Sequence, residues 1–252
     1  MTRNRFLYFT AAVVMTAAIP ALAADEALPK AETILDRYVE VTGGKAAYEK
    51  HKSETATMSM EFVGKGIKGT GTRVADTSNN SFESMELENI GKVDAGVVNG
   101  VAWETNPMTG PRILDGPEKA DRMRDSRFNA PIYWRELWKT TETTGVETVN
   151  GEECYKVILT PASGKTTTNF YSKKTGLLVK QARVVVSQMG ELPVEIFAKN
   201  YKDFDGVLMP TQVSQQMMGN EILITAGNVK FNVPVAKDRY EPPAEIKKLI
   251  AK

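Results

Sequence analysis

From residue 57 onward, apolar and polar residues alternate in short runs. Met58, Met60 and Phe62 alternate with Thr57, Ser59 and Glu61, giving an extended chain one apolar and one polar face. The pattern continues through 67–74, 82–87, 93–98 and Val101-Ala102-Trp103, with turns at Gly64, Gly66 and Asn99-Gly100. A second series follows at 146–149, 154–160, 166–171, 177–187, 193–201, 209–218 and 221–233. Asn150-Gly151, Lys174-Thr175-Gly176 and Asp205-Gly206 separate its members, which is the chemistry of tight antiparallel hairpins. Connections this short make neighbours in sequence neighbours in space, so the expectation is a meander of roughly eleven or twelve strands.

Helical spacing appears in five segments. Over 31–41, Ile34, Leu35, Tyr38 and Val39 share one face, and Gly43-Gly44 supplies the stop. A short second turn through Ala46, Ala47 and Tyr48 follows. Gly116-Pro117 starts a helix with proline in the first turn, where its missing N–H costs nothing. Beyond Pro131, residues 132–138 resume helical spacing, with Tyr133/Leu137 and Trp134/Trp138 four apart on adjoining faces. Such a segment needs burial on more than one side. It is either a cap on an ordinary core or a lid over the mouth of a curved sheet, with Trp134 and Trp138 at that mouth. After Pro242-Pro243, residues 244–251 read as a short amphipathic helix. No Pro- or Ser-rich linker divides the chain, so it reads as one mainly β (α+β) domain.

The first residues carry a different signal. Arg3 and Arg5 precede an apolar stretch from Phe6 to Ile19, then Pro20 and Ala21-Leu22-Ala23. This is the three-part pattern of a cleavable secretory signal, which gives a leader at 1–23 and a single domain at 24–252. No cysteine stands at the junction for lipid attachment, and no later stretch reaches the ~18 apolar residues of a membrane span. The expected location is the periplasm. Without Arg3 and Arg5, the 32 basic residues become 30 against 31 acidic ones. That balance argues against nucleic acid as a partner.

Chemistry is sparse. The single histidine, His51, excludes a His-pair metal site and leaves no spare base for a nucleophilic triad. It reads as a surface residue at a helix end. Cys154, the only cysteine, sits in a strand and reads as a packed side chain; an internal disulfide is excluded. The acids are scattered, and no pair is singled out for glycosidase work. No metal, cofactor or catalytic residue is expected.

Several stretches carry a family resemblance: Ile34-Leu35-Asp36-Arg37-Tyr38 through Thr42-Gly43-Gly44, residues 103–112, residues 171–180, and residues 205–210. With the meander, the N-terminal helix and the central helical insertion, they make the chain similar to the bacterial outer-membrane lipoprotein-sorting (LolA/LolB-like) superfamily. The resemblance implies an unclosed antiparallel half-barrel with a hydrophobic concave face covered by helices. It also implies lipid or lipoprotein acyl chains as cargo, exchanged with inner- and outer-membrane components. In the best-known carrier an inward arginine holds the lid shut; Arg73 and Arg183 lie on strands here, and no motif assigns that role to either. The candidate cavity residues are Met58, Met60, Phe62, Trp103, Tyr133, Trp134, Leu137, Trp138, Phe170, Ile196 and Met217. Three rivals stay open: an envelope interaction module acting through its sheet surface, an outer-membrane barrel, and an enzyme.

Overall fold

The computed structural model describes residues 27–187 and 190–251; the expected leader at 1–23 lies outside them. Strands β1 (Ser53–Phe62), β2 (Ile67–Asp76), β3 (Ser81–Leu87), β4 (Gly91–Val98), β5 (Val101–Asn106) and β6 (Gly110–Ile113) form one meander. A second comprises β7 (Thr140–Val149), β8 (Glu152–Thr160), β9 (Thr167–Ser172), β10 (Leu178–Ser187), β11 (Gly190–Phe204), β12 (Val207–Met217) and β13 (Asn220–Phe231). Antiparallel pairing of β1 with β13 fuses them into a single 13-stranded sheet, an unclosed half-barrel with β6 and β7 at its edges.

Tight turns fix the registers. Asn99-Gly100, Asn150-Gly151 and Asp205-Gly206 all have positive φ at both positions, the backbone that two-residue hairpins need to match strand twist. The strand missing from the sequence reading is β6. By sequence, Asn106-Pro107 opens a loop containing Gly110-Pro111, yet Pro111 of the edge strand β6 pairs with Thr105, and a proline is tolerated at an edge.

The helices are α1 (Ala31–Val41), α2 (Gly44–Lys50), α3 (Gly116–Asp125), α4 (Trp134–Leu137) and α5 (Ala244–Ile250). The expected helix over 132–138 is shorter than its spacing suggests. A 3-10 turn at Ala130–Tyr133 runs into the single turn of α4. Because β6 and β7 are opposite edges, the chain between them must cross the whole width of the sheet. That crossing lays α3 and α4 over one face, and α3 packs against both β5 and β10.

Register identifies the covered face. Directly opposed residues run across seven strands as Phe62, Ile222, Gln215, Ile196, Gln181, Asn169 and Val157. Under α1 and α4, Val157, Leu159 and Tyr171 join Ile34, Leu35 and Trp134 in one buried cluster. Under α3, Val97, Ala102 and Leu114 pack with Met123. The other face has its own apolar patch of Val149, Cys154 and Phe170, with Ala182 and Phe197 beside it. The C-terminal helix α5 packs against β5 and β6, with Ile246 fully buried.

Candidate functional site

The roof of the covered face is α1, and the resembling motifs are what hold it there. Arg37 donates to the carbonyls of Lys173 and Lys174 at 3.1 and 3.0 Å, fastening the helix to the β9–β10 turn. At its C-terminus the Leu208 N–H donates to the Thr42 carbonyl, so the elbow docks on the Asp205-Gly206 hairpin. Gly43 is required at this elbow. Its φ is +127°, and a Cβ there would lie 2.3 Å from the Gly206 carbonyl oxygen. On the other flank Asp36 accepts from both ends of the Arg135 guanidinium, at 2.9 and 2.7 Å, and from the Trp134 indole at 3.1 Å. The Arg135 hydrogen bonds hold the Asp36 carboxyl below the usual carboxylate range. One helix thus carries α4 and is tied to two turns of the sheet.

α3 is held differently. No residue of it is buried, and its attachments are largely ionic. Arg112 on β6 holds Glu118 at 2.6 Å, while its Nε donates to Glu104 on β5 at 2.9 Å. Arg122 faces Glu104 and Glu83 at 3.8 and 4.0 Å, and Asp125 accepts from Arg183 on β10 at 2.6 Å. Beneath this belt Arg73 donates to Glu54 at 2.7 Å and to Glu83 at 2.9 Å. Burial opposes its charge, but the two carboxylates outweigh that effect and hold the guanidinium firmly protonated.

Between helices and sheet lies a cavity of about 620 Å³. Leu35 and Tyr38 of α1, Trp134 and Leu137 of α4, and Trp138 close it from above; Leu159, Tyr171, Leu178, Ile196 and Val213 form its apolar floor. Polar groups gather in two places. On the floor, Gln181 donates to Asn169 at 3.1 Å and Asn169 donates to the Tyr171 hydroxyl at 2.9 Å, a hydrogen-bonded chain of three side chains. Toward α3 stand Glu83, Arg124, Asp125 and Arg183. Tyr38 and Tyr171 meet at 5.3 Å between ring centroids, and burial pushes the Tyr171 hydroxyl up to about 12. A second cavity of about 200 Å³ adjoins at Tyr38, Ala130 and Pro131, with His51, Glu54 and Arg73 in its wall.

No family model matches the chain, and neither does any curated protein. Solved structures do resemble it. A DUF1329 family protein from Desulfovibrio piger superposes with a TM-score of 0.56 at 14% identity, covering 84% of this chain and 97% of that one. A LolA superfamily protein from Nitrosomonas europaea gives a TM-score of 0.57 at 14% identity, with coverage of 84% and 97%. The fold is LolA/LolB-like. The likeness is one of fold alone.

Within the LolA-like half-barrel the expected cavity residues separate into groups. Trp134, Leu137, Trp138 and Ile196 line the 620 Å³ cavity together. Met58, Met60, Phe62 and Met217 share the covered face by register but lie outside that cavity and are half-buried. Tyr133 is half-buried beneath Arg127, whose guanidinium sits 4.0 Å from the ring centroid. Trp103 and Phe170 must be corrected. Ala102 is the inward residue of β5, so Trp103 faces the other way and is fully buried on the second face. Phe170 pairs with Lys180 and packs with Val149 and Cys154 on that second face.

His51 is a further correction, since it is 1% exposed and not on the surface. Its ring stacks on Phe231 at 3.7 Å, and Nε2 lies 3.2 Å from the Asp205 carbonyl oxygen. Cys154 is buried as expected, and burial, with Glu152 nearby, pushes its thiol up to about 11. Sequence reasoning missed the α1 contribution, Leu35 and Tyr38, although their apolar stripe was visible. It also missed the polar set Asn169, Gln181 and Arg183, which only long-range pairing brings together. No group of His, Cys, Asp and Glu suited to a metal occurs among the described residues, and no helix among them is long and apolar enough to cross a membrane.

Proposed function

We propose that this protein is an exported periplasmic carrier with no chemistry of its own, which sequesters a lipid, a lipoprotein acyl chain or another hydrophobic ligand. The observation that carries this reading is the cavity of about 620 Å³ between the helices and the concave sheet, walled by Trp134, Leu137, Trp138, Leu159 and Ile196. Its size falls within the ~300–1,000 Å³ of ordinary ligand sites. Affinity comes from burial, at ~25 cal/mol for each Å² of apolar surface removed from water. The leader at 1–23 directs the chain to the envelope, where donor and acceptor are inner- and outer-membrane components. Loading and release require the helical cover to open, and the ionic attachment of α3 makes that the less secured end.

An interaction module acting through its sheet surface would pack both faces without a cavity, and the cavity favours the carrier. A barrel in the outer membrane must close its sheet, whereas β6 and β7 are unpaired edges here. Native mass spectrometry of the full chain expressed with its leader and purified from periplasm tests the carrier reading. The expected result is a chain cleaved near Ala23, not acylated, with one lipid-sized adduct that organic extraction removes. A bare mass at every collision energy, with no lipid in the extract, contradicts it.

A further inference from the structure

Of the two arginines that line the 620 Å³ cavity, Arg124 and Arg183, only Arg183 has a buried Nε without a partner. Arg73 has Nε on Glu83 and Nη1 on Glu54, and Arg112 has Nε on Glu104 with both terminal nitrogens on Glu118. Both are filled by carboxylates. Arg183 lines the 620 Å³ cavity and gives only Nη1 to a partner, Asp125. Its Nε is buried and has no hydrogen-bond partner. The Nε–Nη2 edge is the side of a guanidinium that takes an oxyanion with two parallel hydrogen bonds. A buried donor without a partner calls for one.

The carboxylates nearby do not fill this edge. Asp125 is engaged at Nη1, and Glu83 accepts from Arg73. The cavity is polarised as well: its charged groups gather toward α3, while Leu35, Trp134, Leu159 and Leu178 line the rest.

Resting on the carrier reading above, we infer that the ligand is an amphiphile with an oxyanion head. Arg183 receives the head on its unfilled Nε–Nη2 edge, and the apolar chain runs beneath α1 and α4. A fatty acid carboxylate and a lysolipid phosphate share this chemistry. A plain hydrocarbon or a fatty alcohol lacks it.

The test follows tryptophan emission of the full mature chain during titration with palmitate, lysophosphatidate and hexadecanol. In the wild type at least one oxyanion amphiphile should bind roughly tenfold or more tighter than hexadecanol, as a charge-assisted bidentate contact requires. The tighter of the two oxyanions identifies the source of the head. Arg183→Gln should erase that preference. Asp125→Asn removes the same ion pair but keeps the guanidinium, so it should retain the preference. Equal binding of all three ligands to the wild type overturns the head-group assignment and leaves the carrier reading intact. So does a preference that survives Arg183→Gln, or one that Asp125→Asn also erases. If none of the three binds, the carrier reading falls with it.

Discussion

Arg73→Ala should destabilise the protein by about 3 kcal/mol, the lower end of the ~3–5 kcal/mol expected when one partner of a buried ion pair is removed. The lower end applies because the Arg73 side chain is still 21% exposed. The cause is what stays behind. Glu54 is 8% exposed, and Arg73 is its only ion-pair partner among the described residues. Glu83 is half-exposed and still has Arg122 nearby, so it suffers less. Urea unfolding should report the loss as a lower midpoint at unchanged slope. A double variant, Arg73→Met with Glu54→Met, removes both charges and should recover most of the loss. If the double variant is no more stable than Arg73→Ala, the ion pair is not what matters at this position.

Leu137→Asp should lower ligand retention by ~100-fold or more, because it sets a carboxylate against an apolar wall that the bound chain would have to desolvate. Stability should change little. Leu137 is half-buried on the single turn of α4 and lies outside the buried cluster that joins α1 to the sheet. Trp134, its neighbour in the cavity wall, is part of that cluster and hydrogen-bonds Asp36, so it is the wrong residue for this purpose. Isothermal titration with palmitate, alongside thermal unfolding, separates the two effects. Unchanged affinity would mean that the apolar wall around Leu137 is not where ligand sits. Loss of the fold would mean that α4 is structural.

The strands were legible because nearly all their pairings are local. Alternation gave the faces, and Asn-Gly or Asp-Gly gave the turns at 99–100, 150–151 and 205–206. Only β6 was hidden, by a proline that an edge strand accepts. Alternation does not say which face is covered, and large aromatic residues are a poor guide. Trp103 and Phe170 look like cavity residues but serve the second face, where α5 and the Phe197 patch cover a separate apolar surface. The site itself depends on contacts between distant segments. Asp36 meets Arg135 across α1 and α4, Glu54 meets Glu83 through Arg73, and Asp125 meets Arg183 from α3 to β10. His51 was misjudged for the same reason, because the turn that buries it is 154 residues away.

The two tryptophans of the cavity and the one on the opposite face allow a direct test of the central claim that an apolar chain is held under α1 and α4. Bromine on a fatty acyl chain quenches tryptophan emission only by close approach. In a Trp103→Phe protein, which keeps Trp134 and Trp138, dibromostearate should quench strongly and saturably at one equivalent, while unbrominated stearate should not. In a protein carrying Trp134→Phe and Trp138→Phe, the remaining Trp103 lies on the second face and should keep its emission. Quenching confined to the Trp103→Phe protein is the predicted result. Equal quenching in both proteins, or none in the one that keeps Trp134 and Trp138, would contradict the account.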